Sequence, residues 1–199
     1  MTQLSPNAFK SVMDIDVLGS YNTVKATLPH LLTSARAHKT DGKTSTPRTP
    51  PVSPSSSLTT PPPPAPPTGT GGRIIFVSAT LHYTGTPMQA HVAVAKAGVD
   101  ALAHAVAIEQ GPRGVTSNVI APGPIAGTEG MDRLADPNSV RESMARIPSG
   151  RWGSVKEIAD ATVYLFSDAG NYVNGEILVG ECSACMWWGG GFGLLGRVC

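Results

Sequence analysis

Apolar residues recur at helical spacing from Asn7 to about Ala35, where Phe9, Met13, Val17, Tyr21, Val24 and Leu28 share one side of a helix. Ser5-Pro6 in front of this run reads as an N-cap followed by proline at the first helical position. Gly19 and Pro29 interrupt the pattern and argue against a straight helix. "RIIFVSA", residues 73–79, is a short apolar run rich in β-branched side chains and predicts a buried strand. From Pro87 to Gln110 the pattern is helical and apolar nearly all round, which predicts a helix buried on several sides. Gly111-Pro112 ends it. "VTSNVIAPG", 115–123, predicts a second strand, and a polar helical stretch spans about 128–146. "SVKEIADATVYLFSD", 154–168, opens with a capping box from Ser154 to Glu157 and shows amphipathic spacing. "GEILVG", 175–180, predicts a third strand. Strands that alternate with helices pair in parallel, so the fold class is α/β.

Residues 38–72 fall outside this pattern. Ten of the eighteen prolines lie between Pro47 and Pro67, among serines and threonines. Such a segment buries too little apolar surface to offset its ordering entropy and favours extended conformation. It is expected to be a solvated insertion, the alternative being a docking segment for a proline-binding module. The folded domain is therefore expected over 1–37 and 73–180. The tail from 181 to 199 breaks the pattern again and holds all three cysteines. Cys182 and Cys185 have the spacing of a redox or half-zinc motif, but no second Cys/His pair lies nearby, so no metal site is expected.

The formal net charge of +1 gives no basic footprint for nucleic acid. No run reads as long and apolar enough to span a bilayer. An odd set of cysteines, clustered at one end, is not a disulfide framework and points to a reducing compartment.

Lys96 is the only lysine or arginine between Arg73 and Arg113, and it stands among Val92, Val94, Ala95 and Ala97. Taken alone it reads as a lysine snorkelling from a helix end, and Asp16, like Asp14, as a solvated carboxylate. His82 and His91 read as partly buried structural histidines, and Tyr83 as a residue that contacts a ligand or caps a loop. "APGPIAGT", 121–128, follows a strand at its carboxyl end, where open α/β sheets bind ligands.

Four pieces in order, "MDIDVLGSYN", "GGRIIFVSAT", "AKAGVDALAHAVAIEQGPRGVTSNVIAPGPIAGTEGM" and "RWGSVKEIADATVYLFSDAGNYVNGEILV", resemble the C-terminal half of the short-chain dehydrogenase/reductases. The resemblance implies a Rossmann-like, doubly wound parallel sheet of which the first strands and the glycine-rich phosphate loop are missing. In most of that family a tyrosine stands four residues before the lysine, a serine near the end of the preceding strand, and an asparagine in an N-x-x-G pattern. Here those positions hold Val92, Ala79 (one past Ser78) and Asp16. That set resembles the peroxisomal 2,4-dienoyl-CoA reductases of fungal type.

What the resemblance implies is specific. Asp16 and Lys96 would be catalytic, and Ser78, Lys96, Pro122, Gly123, Pro124, Ile125, Gly127 and Thr128 would contact the cofactor, NADPH. The substrate would be a fatty acyl-CoA, 2,4-dienoyl-CoA, reduced to 3-enoyl-CoA in β-oxidation of unsaturated fatty acids. Other readings are a short-chain carbonyl reductase, which the missing tyrosine disfavours, and a non-catalytic interaction protein. Homo-tetramers through the helices at 7–35 and 87–110 would be expected. The compartment implied is the peroxisome, although the chain ends Arg-Val-Cys without the usual targeting tripeptide; otherwise it is the cytoplasm. With the phosphate half of the cofactor site absent, the chain is expected to be an incomplete and inactive form.

Overall fold

In the computed structural model, which describes residues 4–37, 71–86, 88–134, 144 and 147–181, with backbone alone at 132–134, the first helix begins where Ser5 and Pro6 predict. The Ser5 hydroxyl accepts from the Ala8 N–H at 3.1 Å and opens α1 (Pro6–Val12). The chain then winds wider, as a π-helix over Met13–Leu18, before α2 (Gly19–Ala37). The Gly19 N–H bonds the Asp14 carbonyl, five residues back. The helix also runs through Pro29. Proline there removes one donor, and the Lys25 carbonyl it would have served is on an exposed turn that water reaches.

Strands β1 (Gly72–Val77), β2 (Val115–Ala121) and β3 (Ile177–Val179) form a parallel sheet in that order, with Gly72 opposite Val115 and Val119 opposite Ile177. β2 is central and buried along its whole length. The elements between are α3 (Leu81–Thr84), α4 (Ala90–Gln110), α5 (Glu129–Leu134) and α6 (Val155–Phe166). Val24 of α2 and Val99, Ala103 and Val106 of α4 pack with Phe76 and Val119 into one core. On β1, Arg73 donates instead to the Leu165 and Ser167 carbonyls at the end of α6, at 2.9 and 2.7 Å. The two residues lie on opposite sides of the pleat, as the alternation of a strand requires.

Several boundaries differ from the sequence pattern. Gly72 belongs to the fold and not to the 38–72 insertion. It is buried, and a Cβ there would meet Val115 Cγ2 at 2.9 Å and the Leu31 carbonyl oxygen at 3.0 Å, so only glycine lets α2 lie this close to the strand. Residues 38–70 and 182–199 lie outside the described residues. The helix predicted from 87 starts at Ala90, because Met88 sits at φ 64° in the left-handed region. The 128–146 prediction is met by α5 at its start, and most of its remainder lies outside the described residues. β2 stops at Ala121, since Pro122 has no N–H to give the ladder.

α4 is buried along one stripe, Ala95, Val99, Ala103, Val106 and Ala107, rather than on several sides, and Val94 and Ile108 are exposed. Contrary to the expectation from composition, the stretch Ala90–Arg113 is long and apolar enough to cross a membrane. Its buried stripe packs on the sheet, where Val99, Ala103 and Val106 join the core with Phe76 and Val119.

Polar residues inside β2 hold the third strand in register. Asn118 donates to the Val173 carbonyl at 2.9 Å and accepts from the Glu176 N–H at 3.0 Å. Asn174 accepts from the Ser117 N–H at 2.9 Å and donates to the Ala107 carbonyl at 3.1 Å. The buried Ser117 hydroxyl donates to the Ala103 carbonyl at 2.8 Å. Replacing Asn118 by alanine strands two backbone groups at once. The cost expected is about 2–3 kcal/mol, read as a lower urea midpoint.

The capping box of α6 is complete and reinforced by an ion pair. Ser154 and Glu157 bond reciprocally, and Arg151 grips both Glu157 oxygens at 2.6 and 3.0 Å. The Arg151 guanidinium first, and then the Ser154 N–H and hydroxyl, hold the Glu157 carboxyl down at about 2. A depressed carboxyl stabilises the fold fully above its ordinary 4.5 and stops doing so as the pH falls through 2. The thermal midpoint should therefore drop between those values, and Glu157→Gln should flatten that part of the profile. An unaltered profile in the variant would show that the pair is screened to nothing.

Candidate active site

The π-helical segment carries Asp16, and the second turn of α4 carries Lys96. The two elements touch at Gly98, where a Cβ would come within 3.0 Å of Val17 Cγ2. This approach sets Lys96 Nζ 3.5 Å from Asp16 Oδ2, with 21 % and 26 % of the two side chains exposed. The same ammonium donates to the Val77 carbonyl at 3.3 Å, at the carboxyl end of β1. An ammonium has three N–H groups. One is spent on Val77 and one faces Asp16, which leaves a donor for a ligand hydroxyl.

The structure brings Ser78 and Pro122 to the same corner. Ser78 is buried; its hydroxyl donates to the Lys96 carbonyl at 3.4 Å and its N–H to the Ile120 carbonyl at 2.8 Å. Thr80 N–H bonds the Pro122 carbonyl at 3.2 Å, so the exit of β1 is tied to the start of the 121–128 loop. Ser78 thus supports the backbone under Lys96. Val92, at the position four before the lysine, carries no acid.

The remaining loop residues divide. Gly123 faces the chain itself, because a Cβ there would overlap the Glu181 carbonyl oxygen. Gly127 adopts φ 70°, with open space where its side chain would be. Pro124 and Ile125 pair with Gly153, through Gly153 N–H to the Pro124 carbonyl at 3.0 Å and Ala126 N–H to the Gly153 carbonyl at 2.9 Å. Thr128 spends its hydroxyl proton on the Ile125 carbonyl at 2.9 Å and accepts from the Met131 N–H at 3.4 Å. In this arrangement it can accept from a carboxamide N–H but has no proton left for a phosphate. A cavity of about 300 Å³ lies on the α6 side of the loop, lined by Gly123, Ile125, Arg151, Glu157 and Glu181. Asp16 and Lys96 lie outside that lining.

Sequence reasoning missed a buried cluster one helical turn beyond Lys96. Asp100 Oδ2 lies 2.7 Å from His82 Nε2 and accepts from the Tyr83 hydroxyl at 2.7 Å. The available signal was an aspartate next to Val99 in an apolar helical stripe. His91 keeps a buried Nδ1 without a hydrogen-bond partner, as does His82. No group of three or more potential metal ligands occurs among the described residues.

The arrangement gathers a donor, an acid and open backbone at one strand end. A half-buried cation offers a donor, a loop with open backbone at Gly127 follows the strand end, and an acidic side chain stands beside the cation. The contact at Gly98 makes its own prediction. Gly98→Val should push α4 from the π segment and lower stability by about 1–3 kcal/mol, read as a lower thermal midpoint.

Comparison with known proteins shows the family. Residues 64–182 match the family model described as enoyl-(acyl carrier protein) reductase. The chain is 46 % identical over 176 residues to the peroxisomal 2,4-dienoyl-CoA reductase [(3E)-enoyl-CoA-producing] of Saccharomyces cerevisiae, covering 88 % of this chain and 48 % of that protein. It is 38 % identical to the Arabidopsis thaliana protein of the same description, covering 88 % and 50 %. The chain thus spans about half the length of the curated relatives it matches. Among solved structures it superposes on a short chain dehydrogenase from Bacillus anthracis with a TM-score of 0.67 and 26 % identity, covering 93 % of this chain and 59 % of that one. It shares the fold of a gluconate 5-dehydrogenase from Burkholderia cenocepacia in complex with NADP and tartrate, with a TM-score of 0.69 and 21 % identity, covering 92 % and 58 %. The chain belongs to the short-chain dehydrogenase/reductase family.

Proposed function

We propose that this chain carries the acid–cation half of an NADPH-dependent 2,4-dienoyl-CoA reductase, which forms 3-enoyl-CoA during β-oxidation of unsaturated fatty acids. The observation that carries the reading is the Asp16–Lys96 pair at 3.5 Å with valine and alanine at the family's tyrosine and serine positions. The names of the relatives, which cover the same residues, support the substrate class and the peroxisome as compartment.

When bound, the nicotinamide supplies a hydride to the δ carbon of the dienoyl thioester. Lys96 orients the cofactor ribose through its free N–H and holds positive potential beside the dienolate that forms. Asp16 holds a water against the α carbon; that water gives its proton to the carbon, and solvent returns a proton to the hydroxide left behind. Hydride at δ and proton at α move the double bond to the 3-position and balance the step. A carbonyl reductase must instead protonate an oxygen from a fixed acid, and Val92 offers none.

Ile15 and Leu18 of the π segment, Tyr21 of α2, and Val94 and Ile108 of α4 are exposed. These side chains suit self-association, which sedimentation would read. β1 is an edge of the three-stranded sheet, beside a cleft of about 420 Å³ lined by Ile15, Val24, Thr27, Ile74 and Val77. In the proposed reductase, further strands with their phosphate loop continue the sheet there, so activity requires that half.

The test joins this chain to the half of the Saccharomyces cerevisiae relative that it does not match. The fusion should consume NADPH and bleach dienoyl-CoA absorbance, while the 199-residue chain alone should do neither. Lys96→Ala should abolish turnover and weaken NADPH binding. Asp16→Ala should slow turnover by about 10²–10⁴-fold with NADPH affinity kept. A fusion that reduces simple ketones and leaves dienoyl-CoA untouched would overturn the reading.

A further inference from the structure

Asp100 has no part in the mechanism above, yet it is 94 % buried by the measure of its 6 % exposure. It sits one helical turn after Lys96, among Val99 and Ala103 of the apolar stripe. Burying a carboxylate costs free energy unless its oxygens are served. Oδ2 is served twice, by His82 and Tyr83, while Oδ1 has no hydrogen-bond partner. A residue that only filled space here would be apolar.

Both partners come from α3, the four-residue helix that leaves the carboxyl end of β1. Backbone bonds also hold it: Tyr83 N–H to the Thr80 carbonyl, Gly85 N–H to the Leu81 carbonyl, and, just before it, Thr80 N–H to the Pro122 carbonyl. Gly85 then turns the chain away at φ 69°. So short a helix has little stability of its own. The tie to Asp100 fastens it to the helix that carries Lys96. The His82 ring lies against the Tyr83 ring, tilted by 46° with centroids 3.8 Å apart, and Tyr83 keeps 42 % of its surface exposed. An aromatic surface is thereby held rigid at the strand end, where open α/β sheets bind ligands.

We infer that Asp100 is a positioning residue: through His82 and Tyr83 it fixes α3 as an aromatic wall beside Lys96, against which the apolar acyl portion of the thioester lies. The inference rests on the reductase reading for its ligand, and on the geometry of the cluster alone for the tie.

Two measurements separate these. In the 199-residue chain, the His82 Nε2 proton donated to a carboxylate should give a downfield imidazole N–H resonance in the proton NMR spectrum. His82→Gln should remove it, and Asp100→Asn should move it upfield. In the fusion described above, Tyr83→Phe and Asp100→Asn should raise the KM for dienoyl-CoA by about threefold to tenfold, with kcat changed less than about twofold. The KM for NADPH should stay as it is. Tyr83→Phe removes one hydroxyl from a partly exposed ring, so it keeps the test alive if Asp100→Asn fails to fold. The inference is overturned if the downfield resonance is missing. It is equally overturned if both variants leave the dienoyl-CoA KM unchanged, or raise both KM values together with a loss of folded protein. A fusion without dienoyl-CoA turnover removes the reductase reading, and the resonance alone then decides for or against the tie.

Discussion

The approach of α4 to the π-helical segment at Met13–Leu18 is set at Gly98, where any side chain would press on Val17. That contact brings an acid from one helix to a cation on another across a distance that neither helix could span alone. The π winding matters to it. One extra residue per turn rotates the positions after it around the helix axis, and such segments recur at functional sites. Gly19, whose N–H closes the wide turn on Asp14, then returns the chain to α-helical winding. Asp14 and Asp16, two residues apart, face different sides of the helix: Asp14 pairs with Lys10 on the exposed side, and Asp16 faces Lys96.

The sheet supplies the second constraint. Lys96 Nζ bonds the last carbonyl of β1, and the Ser78 hydroxyl bonds the Lys96 carbonyl, so both ends of the lysine are tied to the end of that strand. β1 is placed by β2, and β2 tolerates three successive polar residues, Thr116, Ser117 and Asn118, in a buried strand. The bonds of Ser117 and Asn118 run to α4 and to the turn before β3. A three-residue strand has few ladder bonds with which to hold its register. Side-chain amides on Asn118 and Asn174 do that work, and they also place Gly180 against Ala121, which shapes the start of the 121–128 loop.

The element order was legible in the sequence because periodicity and end signals agreed. Ser5-Pro6, Gly111-Pro112 and the Ser154–Glu157 box each mark a boundary that the structure keeps. What was not legible had a physical reason in each case. A π turn has no distinct residue pattern, since it uses ordinary helix formers. The left-handed conformation at Met88 is unexpected for a residue with a side chain and shortened α4 by three positions. Gly72 looked like the end of a glycine-proline tract, and only its contact with Leu31 and Val115 makes it the first residue of a strand. At the site, Lys96 stood out because a lone cation in an apolar helix is costly without a use. Asp100 satisfies the same criterion, but its partners His82 and Tyr83 stand 18 and 17 residues earlier on another element, and only the fold brings them together.

The replacement of a tyrosine by Val92 changes which atoms of a substrate the site can serve. A phenol four residues before the lysine would lie on the same face of α4, one turn nearer the helix start, and would serve an oxygen held above the ammonium. Valine leaves that space apolar. Asp16 reaches Lys96 from the π segment instead, so the acidic group stands to the side of the cation. A substrate that gathers negative charge at the cation but takes its proton elsewhere suits this layout, and a conjugated thioester has that separation built in. Charge collects on its carbonyl oxygen while the proton is due at the α carbon. In the proposed reductase, keeping the lysine while moving the acid is therefore a change of proton address, and it leaves the proposed task of the cation intact.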